Sequence, residues 1–410
     1  MTAPEPEFTG THSGAVPLYG RRFVEDTDEL YREMRRDHGP VVPVLFEGGE
    51  PAWLVIGYRE AHRVLTDSQL FARDPYRCHG PEYVPPQNLG YLPGILMFLD
   101  GPVHARRAGA VSAALAEVDQ FELRADCERY SDRLIDAFAA AGEADLIEQY
   151  AYHLPVLVMG SLLGLPDSEL IAFAEDMKKM NDGREEAIEA FGRYVVRMTS
   201  LLASKREWPG ADVTSHMIAN ATDVTDEELI QDLLVVLSGG QENTAHWIGN
   251  TLRLMLTDDR FSLTLSGGRR SVGQALNEVM WEASPVKTAP ARWAVRETQL
   301  GGRTIRAGDV VVVGPAGANT DPRIRPDAHG DAAGNHAHLG FGTGEHGCPH
   351  PAPELAQVMA QTAVEVLLDR LPDVRLAVPE HELEWRPAFH IRGLSALPVS
   401  FRPTHVVGGG

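Results

Sequence analysis

The run VTDEELIQDLLVVLSGGQENTAHWIGNTLRLML, residues 224–256, constrains this chain more than any other stretch. Its apolar residues keep helical spacing for roughly thirty positions, long for a helix in a globular protein. Thr225 at the N-cap with Glu228 three positions on makes a capping box that fixes where the helix starts. Its middle, however, is polar: Ser238, Gly239, Gly240, Gln241, Glu242 and Asn243. Glycine inside a helix costs about 1 kcal/mol relative to alanine. A buried central helix that carries two glycines and a carboxylate mid-length is therefore expected to serve a site there, rather than to present a solvated patch.

Helical periodicity also dominates residues 104–206, with interruptions at Gly142, at Gly164 with Pro166, and at Gly183. Strand signals sit towards the two ends. VVPVLFEGGEPAWLVI (41–56) reads as a hairpin around Gly48-Gly49, and YREAHRVLTDSQLF (58–71) as a helix ending before Pro75. Residues 76–99, rich in Pro, Gly, Tyr and Asn, read as a long loop. ALNEVMWEASPV (275–286) is a short helix stopped by Pro285, ETQLGGRTIRAGDVVVVG (297–314) a strand-turn-strand, PAPELAQVMAQTAVEVLLDRL (351–371) a helix with prolines at its start, and GLSALPVSF (393–401) a closing strand. With 410 residues, 43% of them hydrophobic, and no low-complexity block, a single domain over 1–410 is expected, residues 1–20 forming a mobile arm.

A formal charge of −21 argues against nucleic acid or an anionic membrane as partner. The N-terminus lacks a basic stretch followed by an apolar one, and no apolar run reaches the ~20 residues that span a bilayer, so a cytoplasmic protein is expected. Cys78, Cys127 and Cys348 lie far apart and suggest no disulfide framework.

One stretch concentrates candidate ligands: HLGFGTGEHGCPH, residues 338–350. A zinc site drawing on His336, His338, His346, Cys348 and His350 is disfavoured, because structural zinc ligands come as pairs spaced by about two to four residues from two places in the chain. Here the donors alternate one apart and no second pair exists. The other reading gives Gly340, Gly342, Gly344 and Gly347 the task of curling the backbone around one sulfur, Cys348, with the dipole of the helix that follows favouring its thiolate.

FGTGEHGC resembles the haem-ligand loop of the cytochrome P450 superfamily, Phe-Gly-x-Gly-x-His-x-Cys, at Phe341, Gly342, Gly344, His346 and Cys348. The resemblance spans most of the chain: the 224–256 helix is similar to the family's central I helix, and NEVMW before Ser284-Pro285 to its K helix. It implies a mainly α fold, a helix-rich triangular prism with small β-sheets. It further implies haem b bound through Cys348 as axial thiolate, the only metal ligand, with Phe341 and Gly342 beside it and with His346, Arg292 and His104 towards the propionates. An arginine usual four residues after His104 is absent, Ala108 standing there, and Arg107 is the candidate substitute. Val235, Ser238, Gly239 and Asn243, with Thr288 and Pro290, are expected to line the substrate pocket.

The departures bear on chemistry. Where the family has an acid followed by an alcohol in the I helix, this chain has Glu242-Asn243, with Thr244 one step too late, about 100° around the helix. The Glu-x-x-Arg of the K helix becomes Glu278-Val-Met-Trp281, which leaves Glu278 in need of another cation, with Arg323 and Arg325 as candidates. Pro349-His350-Pro351 after the cysteine is expected to reset the next helix start. The implied activity is a monooxygenase or oxidase fed from NAD(P)H by a ferredoxin and its reductase. It would hydroxylate or oxidatively couple a small organic or cyclic-peptide-like secondary metabolite, with Glu242, Asn243 and Cys348 in catalytic roles. The rival is a degenerate haem-binding protein kept for partner binding.

Overall fold

The computed structural model describes residues 14–182, 186–261, 271–325 and 334–405. The chain divides into two units, each assembled from segments distant in sequence. One comprises the chain up to Gly101 with Asn277–Cys348 and Trp385–Arg392; the other comprises Pro102–Leu276, Pro349–Glu384 and the chain from Gly393 onwards.

The first unit is built on a six-stranded sheet. The expected hairpin forms from Val41–Leu45 and Pro51–Val55, antiparallel with Val41 opposite Val55, and Gly49 takes the positive φ that its turn requires. Val310–Val313 runs parallel to the hairpin's second strand. Arg292–Ala294 follows, then the edge strand Phe71–Ala72, antiparallel with Phe71 opposite Ala294 and Ala72 opposite Trp293. Val41, Trp53, Val55, Val311 and Val313 pack with Val64 and Leu65 of the helix Tyr58–Thr66 into a closed apolar core. Each such side chain contributes about 1.5–3 kcal/mol on burial. The expectation of a mobile arm over 1–20 fails from residue 14 onwards: Val16–Pro17 pairs in parallel with Val44 and Leu45, and Leu18 is buried. Residues 1–13 lie outside the described residues. The 76–99 segment holds the short turns Gln87–Leu89 and Leu96–Phe98, with Tyr91 packed on Phe98 and Trp293.

In the second unit the long helix runs unbroken from Asp226 to Thr257, 32 residues, opened by the expected capping box between Thr225 and Glu228. It packs on the helices His153–Leu162 and Ala352–Arg370. Its two glycines differ in purpose. A Cβ on Gly240 would lie 2.8 Å from the Met159 sulfur, so this glycine permits close helix packing, whereas Gly239 faces open space. The predicted break at Gly142 leads into a strand, Glu143–Asp145, which pairs with the tail strand Pro398–Ser400; Gly183 lies outside the described residues. Among the described residues no helix is long and apolar enough to cross a membrane.

Candidate functional site

In the first unit, the short turn Leu339–Phe341 leads into Gly342 at φ +68° and Gly344 at φ +76°, conformations that side-chain-bearing residues rarely adopt. Gly344 also runs against the 65–66 backbone: a Cβ there would sit 2.6 Å from the Leu65 carbonyl oxygen. The loop closes where the Cys348 amide donates to the Phe341 carbonyl at 2.9 Å. Cys348 is exposed, yet protein close around its sulfur pushes the thiol up to about 11. The following helix starts only at Ala352, consistent with the expected reset. Burial disfavours the free thiolate, and a coordinated metal ion is what deprotonates such a thiol.

Beside this loop the unit buries positive charge. His346 faces Asp100, Nε2 to Oδ1 at 3.2 Å, both side chains almost fully buried. Burial alone would raise the Asp100 carboxyl, but the hydrogen bonds from His346 and from the Asp74 and Arg73 amides outweigh it and hold the group down to about 2. Arg292 is 1% exposed and, among the described residues, donates to carbonyls, those of Phe71 at 3.1 Å and Leu65 at 3.2 Å. Its neighbour Arg73, 4% exposed, was not foreseen from sequence. It donates to the Pro290 carbonyl at 2.6 Å. It follows directly on the last strand pair, Ala72 with Trp293, and Arg292 precedes that pair on the other strand.

The predicted pocket residues of this unit divide. Pro290 is half-buried. Thr288 does not open onto a cavity: it is 1% exposed, its hydroxyl donates to the Phe389 carbonyl at 3.0 Å, and it lies 2.9 Å from His390 Nδ1. The expectation that it contacts substrate is corrected accordingly.

The question left by Trp281 is resolved in the same unit. Arg325 donates to the Glu278 carboxylate at 2.7 Å, with both side chains buried, and its guanidinium lies 5.4 Å over the Trp281 ring. Arg323 is engaged elsewhere, by Asp321 at 2.7 Å and Glu60 at 2.8 Å. The Trp281 indole donates to the Asn335 carbonyl at 2.9 Å, as does the Asn277 amide at 3.0 Å. Trp281 thus anchors the segment at Asn335, and Arg325 supplies a cation to Glu278.

In the second unit, His104 is buried in the helix Gly101–Ala116. Arg107 is not placed for a cofactor. It grips Asp232 of the long helix, Nη2 to Oδ1 at 2.6 Å and Nε to Oδ2 at 3.0 Å, and reaches the Glu228 carbonyl at 3.3 Å. Sequence reading assigned it wrongly because Asp232, a carboxylate on an apolar helix face, was not recognised as its partner. At the middle of the long helix, Val235, Ser238, Glu242 and Asn243 are half-buried and Gly239 is exposed, while the turns that follow, from Thr244 to Leu252, are fully buried. Ser238 donates to the Leu234 carbonyl at 2.8 Å and the Asn243 amide to the Gly239 carbonyl at 3.3 Å. Their spacing sets Val235, Ser238, Gly239, Glu242 and Asn243 along one side of the helix.

No family model matches the chain. It is, however, 33% identical over 396 residues to cytochrome P450 monooxygenase PikC of Streptomyces venezuelae, spanning 93% of both proteins. This chain belongs to the cytochrome P450 superfamily. It is also 32% identical to the mycinamicin IV hydroxylase/epoxidase of Micromonospora griseorubida, over 97% of this chain and all of that one. The solved structure of the mixed-function P450 MycG superposes with a TM-score of 0.81 at 32% identity, over 91% of this chain and 96% of that one. The P450 is therefore a monooxygenase of helix-rich fold, and the family implies haem. Its residues fit that group: Cys348 is a soft thiolate donor on a glycine-lined loop, and the buried Nε atoms of Arg73 and Arg292 have no hydrogen-bond partner among the described residues.

Proposed function

We propose that this P450, working as one haem-thiolate oxygenase domain, oxidises a small organic or peptide-like intermediate of secondary metabolism, with electrons from NAD(P)H delivered by a ferredoxin and its reductase. The observation that carries the reading is the Cys348 loop, closed on Phe341 next to buried Arg292 and His346. The names of relatives agree with it: hydroxylation or epoxidation for the mycinamicin IV enzyme, and N-oxygenation for nocardicin C N-oxygenase of Nocardia uniformis, 31% identical over 96% of this chain. These names favour oxygen insertion over coupling.

Cys348 would ligate haem iron, and Arg292, His346 and His104 would receive its propionates; the bound group supplies dioxygen activation. This chain's own residues then have separable tasks. Val235, Ser238 and Gly239, accessible on the long helix, would meet substrate. The Asn243 amide N–H is held by Gly239, so its side-chain oxygen is an acceptor for a water proton, and the adjacent Glu242 is the group able to exchange one. An amide orders water but does not relay protons as a hydroxyl does. Asn243→Thr is thus expected to shift the ratio of product to wasted peroxide by about threefold or more, still small beside the ~100-fold that a full acid–base group supplies. Parallel measurement of product and peroxide checks this, and an equal ratio removes Asn243 from proton handling.

Carbon monoxide added to the reduced protein is expected to give the Soret band of thiolate-ligated haem. Oxygen-dependent turnover with donor proteins should then give product heavier by one oxygen; a loss of two hydrogens instead means coupling. The thiolate band without turnover across a broad substrate panel would favour the degenerate haem binder, against which the rebuilt Glu278–Arg325 pair already speaks.

A further inference from the structure

Arg73 and Arg292 pose an electrostatic problem that no group among the described residues solves. They flank the last pair of an antiparallel ladder, Ala72 with Trp293, near enough that the charge of Arg292 acts on Arg73. Both are buried, and the hydrogen bonds of both guanidinium groups go to neutral carbonyls of Pro290, Phe71 and Leu65. The carboxylate at hand, Asp100, is engaged elsewhere: it accepts from the Arg73 and Asp74 amides at 3.0 and 2.9 Å, from His346 at 3.2 Å and from Arg77 at 3.3 Å. Burial, and then the neighbouring Arg292, push Arg73 well below its ordinary value against the pull of Asp100. Burial likewise brings Arg292 down to about 10, with Asp100 and Glu345 opposing. A guanidinium does not release its proton in a protein, so the cost is relieved only by an anion. Elsewhere the helix 101–116 lacks an arginine at Ala108 and commits Arg107 to Asp232.

We propose that Arg73 and Arg292 together form a carboxylate-receiving site for the prosthetic group, Arg73 supplying the cation that Ala108 and Arg107 do not. The inference rests on the haem-thiolate reading above. It gives the otherwise unexplained Arg73 a partner, and it makes the haem-free chain carry a charge strain that haem uptake removes.

Two variants of the full chain test it, Arg73→Met and, as the conservative control, Arg73→Lys. Three measurements apply: the thermal midpoint of the haem-free protein, the rate of haem transfer to apomyoglobin, and the same transfer with haem dimethyl ester, whose carboxylates are blocked. Arg73→Met is expected to raise the haem-free midpoint and to speed loss of haem about tenfold, as for a hydrogen bond between charged groups, with Arg73→Lys in between. With the dimethyl ester, wild type and Arg73→Met should release at equal rates. Haem loss unchanged within about twofold of wild type, while the thiolate spectrum persists, would overturn the role of Arg73 and leave the P450 reading intact. So would faster loss that persists with the ester, which would assign Arg73 to packing or to a substrate acid. Failure of wild type to take up haem overturns both. Should Arg73→Met not fold, Arg73→Lys carries the same comparison with haem and its ester.

Discussion

Replacing Arg325 with leucine should cost this P450 about 3–5 kcal/mol of stability, because it removes a bonded cation from the buried Glu278 carboxylate. Arg325 bonds Glu278 at 2.7 Å, with side chains 10% and 4% exposed, and it also lies 3.8 Å from Glu282. Restoring an arginine at position 281 in that background returns a cation three residues from Glu278, on the same helix face. The double variant Arg325→Leu/Trp281→Arg is therefore expected to recover a good part of the loss. Trp281→Arg alone should be destabilising, since it brings a second buried cation to the carboxylate that Arg325 holds and removes a fully buried indole. Denaturant unfolding of the three variants measures all of this. Equal stability of Arg325→Leu and the double variant would show that the tryptophan, not the ion pair, anchors the segment at Asn335.

How much of this was legible in the sequence follows the range of each interaction. The long helix, its capping box, the 41–56 hairpin and the 398–400 strand were readable because periodicity and turn chemistry are local. Val16–Pro17 was not, since two residues become a strand only through the partner they find at Val44 and Leu45. The cysteine loop was the most legible part of the site, its glycines and ligand lying within eight consecutive residues. Sequence narrowed the partner of Glu278 to Arg323 or Arg325, and only packing could choose, by giving Arg323 to Asp321 and Glu60. Thr288 was misread because its hydroxyl is claimed by residues about a hundred positions away, at Phe389 and His390. Arg73 escaped notice for the same reason: its significance lies in the nearness of Arg292, which is distant in sequence.

Arg107 and Asp232, 125 residues apart, make the second prediction of large effect. The pair is almost completely buried, 1% and 2% exposed at the side chains, and joins the helix Gly101–Ala116 to the helix that carries Asn243. Breaking it from either side should cost about 3–5 kcal/mol, but the two sides are unequal. Asp232→Asn leaves a buried guanidinium, which cannot neutralise itself, with the more exposed Glu228 carboxylate 3.7 Å away as a weaker counter-charge. Arg107→Leu strands a carboxyl, which can take up a proton. Burial already pushes Asp232 above the ordinary carboxyl range, with Arg107 opposing; without Arg107 it moves further up. In Arg107→Leu the folded state then holds a proton that the unfolded state releases at lower pH. The deficit against wild type is therefore small in acid and grows as pH rises through the window between the unfolded and folded values. In Asp232→Asn this pH dependence is lost and the deficit against wild type is the larger at neutral pH. The paired change Arg107→Leu/Asp232→Leu removes both charges and should regain most of the stability. Unfolding curves for the three variants between pH 5 and 8 test this. Identical pH profiles for the two single variants would mean that water, rather than the opposite charge, solvates this pair.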